Sequence, residues 1–302
     1  MTKQRIKFII NPNSGVKNKK IVLPAIQEYL NSRKYDYDIS YTEFAGHANE
    51  LSAKAVQDGF ETVVAVGGDG SVNEVATSLI GTNVNLGILP LGSGNGFAMH
   101  TGIGRNLANA IHVLNRGKVV RIDTCTMNGK PFINLCGLGF DGLVATAFKE
   151  KTQRGFLSYL QLALNKVFSA DFHRIKLKID DKESFNGEVF IIEVANGGMF
   201  GYSFIIVPAA NLTNGHLDVL LIKKANKLLL STLVPRLLLS NIDKSKIGRL
   251  VQTYQAKKVE IQLEPPAPMH YDGEGFIQKG NKVIFEVVPK SLNVILPRNG
   301  KY

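Results

Sequence analysis

From Ile6 to Asn115 the chain alternates between apolar runs of strand length and segments of helical periodicity, and this rhythm is its strongest constraint. Ile6–Ile10 is a continuous apolar run, Tyr37–Tyr41 alternates, and Thr62–Val66 and Leu86–Leu91 are again apolar. Between them, Ile21–Ser32, His47–Asp58, Val72–Ile80 and Leu107–Asn115 carry apolar residues at helical spacing, the second ending near Gly59. Strands joined through helices run parallel, and parallel strands need both faces covered. The first part is therefore predicted to be an α/β domain, a parallel sheet flanked by helices.

From about Val119 the rhythm changes to strands and turns. Phe132–Cys136, Arg174–Ile179, Val189–Ala195, Leu217–Ile222, Lys257–Leu263, Lys282–Val288 and Leu292–Leu296 read as strands, with Gly, Asn and Asp in the turns. Leu143–Lys149 and Ser158–Phe168 read as helices. A β-rich, sandwich-like second domain follows, and 302 residues suit two cores better than one. The division drawn from the rhythm is 1–122, 123–291, and a C-terminal segment 292–302 that can return to the first domain. A hydrophobic content of 44% with 20% charge is that of a folded chain. Two cysteines, Cys125 and Cys136, offer neither a disulfide framework nor metal-ligand spacing, which suits a reducing cytoplasm. The N-terminal residues read as a first strand rather than a signal peptide. No apolar stretch approaches the roughly 20 residues a membrane span needs.

Three glycine-rich segments each follow a predicted strand: Asn11-Pro-Asn-Ser-Gly15, Gly67-Gly-Asp-Gly-Ser-Val-Asn-Glu74 and Gly92-Ser-Gly-Asn-Gly96. In an open parallel sheet, ligands bind beyond the carboxyl ends of the strands, so the three loops converge. Glycine lets backbone N–H groups approach a phosphate closely. Singly, each loop is equally a tight turn, and Ser71 with Glu74 matches a helix capping box. Three in succession point to phosphate. Asp69, a carboxylate among glycines, calls for a metal or a substrate hydroxyl beside it. The net charge of +11 favours an anionic partner, whether nucleotide phosphate or anionic lipid headgroup. Zinc spacing, RRM-like aromatics and heptads are missing, so nucleic acid is not expected. A literal G-x-G-x-x-G at Gly137-Leu-Gly-Phe-Asp-Gly142 mimics a dinucleotide fingerprint, but it lies past the alternating region and lacks the following acidic residue.

Gly67-Gly-Asp-Gly with Asn73-Glu74 resembles the signature of diacylglycerol, sphingosine and ceramide kinases, and more weakly that of NAD kinases. Asn11-Pro-Asn-Ser-Gly15, Gly92-Ser-Gly-Asn95 and Tyr271-Asp-Gly-Glu274 resemble further loops of the same lipid kinases, in the same order, from residue 11 to 274. The resemblance is greatest to the bacterial soluble diacylglycerol kinase-like proteins. It implies a nucleotide-binding catalytic domain at 1–122, a lipid-substrate domain at 123–291, and a cleft between them. It implies ATP at Asn11, Ser14, Gly15, Thr42, Gly67, Gly68, Asp69, Gly70, Ser71, Asn73, Glu74, Ser93 and Asn95. It implies Asp272 as general base supported by Glu274, with Asp69 a rival, and Mg²⁺ at Asp123. A structural magnesium site is implied at Asn211, Asn214 and His216 (the last by its backbone carbonyl). Two positions depart from the pattern. Gly96 stands where many bacterial members have Asp, which is nearer to sphingosine and ceramide kinases. Asn214-Gly-His-Leu-Asp218 stands where they have Asp-Gly-x-Leu-Asp.

The implied activity is transfer of the γ-phosphate of ATP to a lipid hydroxyl, diacylglycerol giving phosphatidic acid being the first expectation. Sphingosine- or ceramide-type kinases, an NAD kinase-like enzyme and a non-enzymatic lipid-binding protein are the alternatives. The expected setting is cytoplasmic, with peripheral association at the membrane surface, and a homodimer is compatible with it. Lys223–Leu239 is an apolar stretch led by cations and followed by Lys244, Lys246 and Arg249. It suits an interfacial helix, although its leucines suit packing on the second domain equally well.

Overall fold

A computed structural model describes residues 3–15, 19–149, 156–201, 204–205, 207, 210–238 and 248–300. The chain forms two compact units, Met1–Thr124 with Pro289–Tyr302, and Cys125–Val288.

In the first unit, β1 (Gln4–Ile10), α1 (Val22–Tyr29), β2 (Tyr35–Tyr41), α2 (His47–Gln57), β3 (Thr62–Gly67), α3 (Asp69–Leu79), β4 (Asn85–Pro90), α4 (Gly96–His100) and α5 (Leu107–Arg116) follow the expected alternation. β5 (Lys118–Met127) leaves the unit and the end of the last strand, β17 (Lys282–Leu296), returns to it. The strand order is β17–β4–β3–β1–β2, and every pairing is parallel. β3 is buried at all its positions because both faces of the sheet are covered. The register is level at the carboxyl ends: Ile10 pairs with both Tyr41 and Val66, and Gly67 with Pro90. The loops after β1, β2, β3 and β4 therefore start at one edge. α5 begins where the Asn106 side chain accepts the Asn109 N–H at 3.0 Å, and it buries Ala110, Ile111 and Leu114.

The second unit contains β6 (Lys130–Phe132), β7 (Leu135–Gly139), α6 (Phe140–Lys149), α7 (Phe156–Val167), β8 (His173–Ile179), β9 (Lys182–Ala195), β10 (Met199–Phe200), β11 (Phe204–Ile205), β12 (Leu217–Lys223), α8 (Lys227–Leu238), β13 (Val251–Ala256), β14 (Lys258–Leu263), β15 (Ala267–Tyr271) and β16 (Glu274–Gln278). Its strands pair antiparallel in the order β16–β15–β7–β9–β8–β14–β17, with β12 on β9 and β13 on β12. One apolar cluster lies within this β-rich sandwich, around Phe132, Val194, Val219 and Phe285. A second joins the strands to α6, α7 and α8 through Phe140, Ala163, Phe190, Leu230 and Leu233.

The structure alters several expected elements. The run Phe132–Cys136 divides between β6 and β7, because the Asp272 carboxylate accepts the N–H groups of Ile133, Asn134 and Leu135. The two runs at 282–288 and 292–296 are one strand, β17. It passes Lys290 at φ 46°, where the Asp123 carboxylate accepts the Lys290 N–H at 2.7 Å. Asp272 and Gly273 form a two-residue hairpin loop between β15 and β16, both with the positive φ that such a loop requires. In α8, Leu230, Leu233 and Val234 are buried, whereas Leu228 and Leu229 are exposed, so the leucines divide between core and surface. Lys244 and Lys246 lie outside the described residues.

Candidate functional site

The three glycine segments meet as backbone against backbone. A Cβ on Gly15 would stand 2.1 Å from the Leu91 carbonyl oxygen, and one on Gly92 would stand 2.4 Å from the Gly68 Cα. The N–H groups of Leu91 and Gly92 both donate to the Gly67 carbonyl, at 2.8 and 3.1 Å, and that of Asn11 to Val66. These contacts admit no side chain at 15 or 92, and a Cβ on Gly68 would lie a tight 3.2 Å from the Gly92 Cα, so glycine here is a packing requirement. Asn11 Nδ2 donates to Ser71 Oγ at 3.1 Å, linking the first loop to α3. Ser14 Oγ donates to the Asn11 carbonyl. Asn95 adopts φ 54° and donates from Nδ2 to the Gly92 carbonyl at 2.8 Å. The side-chain oxygens of Asn73 and Asn95 are buried without a hydrogen-bond partner. Buried acceptors of this kind call for a donor, which a bound ligand can bring.

Asp69 has a clearer structural task than its glycine setting suggests. Its two carboxylate oxygens accept the N–H groups of Gly96 and Phe97 at 3.0 and 3.1 Å, closing the start of α4 and tying the second glycine loop to the third. Burial raises its carboxyl pKa, and these N–H groups oppose that shift. Ser71 and Glu74 do not form the expected capping box, because α3 starts at Asp69 and places Ser71 inside its first turn. Glu74 instead accepts from the N–H groups of Gly46 and Ala48, at 3.0 and 3.2 Å, and so caps α2. Thr42 is buried beyond β2 and donates its N–H to the Ile10 carbonyl. Ser93 lies half-buried in its loop, and Gly70 half-buried in the first turn of α3. Asp123 is buried and holds the Lys290 backbone, which gives it a strand-bending role.

In the second unit, Asp272 spends its carboxylate on three backbone donors at 3.0–3.3 Å. That fixes the β15–β16 hairpin against β7, and Glu274, two residues on, is exposed. At the suggested magnesium positions, Asn211 Oδ1 accepts from the N–H and Oγ1 of Thr213. Asn214 Oδ1 accepts the His216 N–H, and the His216 ring meets the Asn214 carbonyl at 2.9 Å. These oxygens build local turns, each side-chain Oδ1 already accepting hydrogen bonds from the residues just after it. Asp218 is buried next to them; its Oδ1 accepts from Gln255, and burial raises its pKa.

Sequence reasoning missed a buried group of three: Asp141 on α6, Glu193 on β9 and His270 on β15. His270 Nε2 lies 2.7 Å from Asp141 Oδ2 and 3.2 Å from Glu193 Oε2, and all three residues are buried. Burial alone would discharge the imidazole. Together the carboxylates of Glu193 and Asp141 outweigh it and push the His270 pKa up to about 10. Burial also opposes the Asp141 anion, but the charge of His270 keeps its pKa low. Glu193 is driven well up by burial and by the charge of Asp141. Asp141 and Glu193 border a small pocket with a cavity volume of about 40 Å³. The other walls include Tyr159, Ala163, Ile191, Leu220 and Val234, and they are almost wholly apolar. A signal was present in the sequence. A Cβ on Gly137 would stand 2.0 Å from Asp141 Oδ2, 2.6 Å from Glu193 Oε2 and 2.7 Å from His270 Nε2. The glycines of Gly137-Leu-Gly-Phe-Asp-Gly142 make room for protein rather than for a dinucleotide: a Cβ on Gly142 would meet the Met269 backbone at 2.5 Å.

Among the described residues no helix is long and apolar enough to cross a membrane. The diacylglycerol kinase catalytic domain family matches residues 5–127, and the YegS C-terminal NAD kinase beta sandwich-like domain matches residues 134–296. A diacylglycerol kinase of Staphylococcus carnosus is 28% identical over 90% of this chain and 89% of its own. A Yersinia enterocolitica protein named probable lipid kinase YegS-like is 30% identical over 84% of this chain and 83% of its own. A crystal structure of a Bacillus anthracis diacylglycerol kinase superposes with a TM-score of 0.76 at 19% identity, covering 98% of each chain, which establishes the shared fold. By both of its domains, the chain belongs to the family of diacylglycerol kinases and YegS-like lipid kinases.

Proposed function

We propose that this kinase transfers the terminal phosphate of ATP to the hydroxyl of a neutral lipid, diacylglycerol being the simplest that fits. The observation that carries the reading is the pocket of the second unit. Apolar walls suit acyl chains. Both acids that border it already have His270 beside them, which leaves a cationic sphingoid no unpaired carboxylate to prefer. In the first unit the packed loops Asn11–Gly15, Gly67–Asn73 and Gly92–Asn95 hold the phosphates with backbone N–H groups, and Asp69 fixes their mutual arrangement.

Mg²⁺ bound with ATP would neutralise charge on the transferring phosphoryl group. The residues suggested for protein-held magnesium are engaged elsewhere, so no step is assigned to Asp123, Asn211, Asn214 or His216. The lipid oxygen attacks the γ-phosphorus, ADP leaves, and the hydroxyl proton passes to a carboxylate. Glu274 is the better acceptor, because it is exposed while Asp272 is committed to three N–H donors; Asp272 positions the turn. The lipid is met at the face of a membrane, where the net positive charge favours anionic headgroups.

The test is radiolabelled transfer from ATP to a total lipid extract, then to pure diacylglycerol, sphingosine and ceramide. Label on diacylglycerol above the other two supports the reading. Label confined to sphingosine overturns the argument from the paired acids, and label on NAD alone overturns the lipid reading.

A further inference from the structure

We infer that Phe44 is the platform on which the base of the nucleotide stacks. This rests on the nucleotide reading of the first unit and adds to it the direction in which the nucleotide lies. The glycine loops follow β4, β3 and β1, and the next strand in the sheet is β2. Its paired end is level with theirs, Tyr41 standing opposite Ile10. The loop after β2, residues 42–46, is therefore the next surface along the same edge. Three strand spacings separate β4 from β2, about 14 Å, a distance comparable with the reach of an extended nucleoside triphosphate.

That loop carries an aromatic ring prepared for stacking. Phe44 is 54% exposed although it is a large apolar side chain. One of its faces lies flat on His47, with ring centroids 4.5 Å apart and planes 2° from parallel. His47 is itself oriented, since its Nδ1 accepts the Glu43 N–H at 3.1 Å and its own N–H donates to the Phe44 carbonyl. The loop is anchored to the phosphate side of the unit: Glu74, at the end of the Gly67–Glu74 segment, accepts the N–H groups of Gly46 and Ala48. Thr42 fixes the other end on Ile10. A ring held by its back face, with its surroundings tied to the phosphate loops, is pre-organised for a flat aromatic ligand. With the base at β2, the phosphate chain runs along the edge towards the loops of β1, β3 and β4. Stacking alone reads the π-face of a base rather than its edge, so Phe44 holds the base without choosing which base it is.

The chain contains no tryptophan, so Phe44→Trp introduces a single emitter at the platform. ATP is expected to quench that emission on binding, whereas inorganic tripolyphosphate is expected to compete with ATP and leave the emission unchanged. Phe44→Ala is expected to weaken ATP binding, measured by calorimetry, about tenfold, the scale of one base–aromatic contact, with tripolyphosphate affinity unaltered. Wild-type binding of ATP with no quenching in Phe44→Trp and no loss in Phe44→Ala overturns the platform and leaves the nucleotide site standing. Equal losses for ATP and tripolyphosphate in Phe44→Ala also overturn it, because the ring would then be supporting the phosphate loops. Wild-type protein that binds neither compound overturns both proposals.

Discussion

The glycine edge of the first unit and the acid floor of the second solve opposite problems. At the edge, side chains are excluded so that backbone can pack on backbone; a Cβ on Gly15 or Gly92 would stand 2.1 or 2.4 Å from a neighbouring loop. At the floor, side chains are gathered, and a single glycine, Gly137, clears space for three ionisable groups. Polarity carried by backbone needs no charge balance. Polarity carried by buried side chains does, and His270, set beside both Asp141 and Glu193, provides it. The difference teaches where each site is vulnerable: the edge to volume, the floor to loss of a partner.

The largest effect is expected at the floor. His270→Ala leaves the Asp141 anion buried and uncompensated, a loss of about 3–5 kcal/mol in unfolding free energy by urea titration. Adding Asp141→Asn should recover much of it. A single variant as stable as wild type would show that the group is not ion-paired. The pH dependence follows from the shifts. His270 holds its proton up to about pH 10 in the folded state, against 6.5 ordinarily. Its contribution is therefore complete below 6.5 and is lost as pH rises towards 10, by about 1.4 kcal/mol per pH unit per proton. Glu193, also raised, acts in the same direction above 4.5. Wild-type stability should fall through this window, and more shallowly once His270 and Glu193 are both neutral residues.

Next in size are the carboxylates, where stability and turnover separate. Asp69→Asn is expected to lower phosphate transfer by at least about 100-fold and to cost about 1 kcal/mol of stability, because it loosens the cap on α4. Glu274→Gln is expected to lower turnover by at least about 100-fold with unchanged stability and ATP affinity, as an exposed general base would. Near-normal turnover in Glu274→Gln would leave Asp272, despite its three backbone bonds, as the proton acceptor. The pocket comes third. Ala163→Leu narrows its wall and is expected to raise KM for diacylglycerol about tenfold, the lower end of the scale for one methylene in an apolar pocket, with KM for ATP unchanged. An equal rise for both substrates would mean that the pocket is not where the lipid sits.

The two sites were unequally legible. The edge could be read because its residues are contiguous: each loop directly follows an apolar run, and parallel topology brings the run ends together. What Asp69 and Glu74 do could not be read, since their partners at 96–97 and 46–48 are set by packing between loops. The general base was placed by resemblance on Asp272, a residue whose nearest donors lie more than 130 positions away and become visible only in the fold. The floor draws on α6, β9 and β15, and no local spacing connects 141, 193 and 270. Its one local trace, the glycines around Asp141, had the form of a dinucleotide fingerprint and so pointed the wrong way. The long strand β17 was read as two because Pro289 and Lys290 look like a break, whereas Asp123 and Arg121 grip the Lys290 backbone and carry the strand past it.

The smallest expected effect concerns the surface through which a lipid must be reached. α8 divides its leucines, burying Leu230 and Leu233 under the pocket side of the second unit and exposing Leu228 to 68% and Leu229 to 48%. Exposed leucines at the start of a helix led by Lys223, Lys224 and Lys227 form an amphipathic surface of the interfacial kind, although Lys227 is held by the Val167 carbonyl. Arg249, with Lys244 and Lys246 in the same stretch of sequence, adds charge. Each basic residue near an anionic surface contributes roughly 1 kcal/mol, so Arg249→Ser alone is expected to weaken sedimentation with phosphatidylserine-containing vesicles about fivefold at low salt. The same substitution should have almost no effect once salt has reduced the Debye length to about 3 Å. Leu228→Ser should weaken binding at both salt concentrations, since burial of an apolar side chain is not screened. Vesicle binding indifferent to salt and to both substitutions would place the membrane contact elsewhere and leave α8 as a packing element alone.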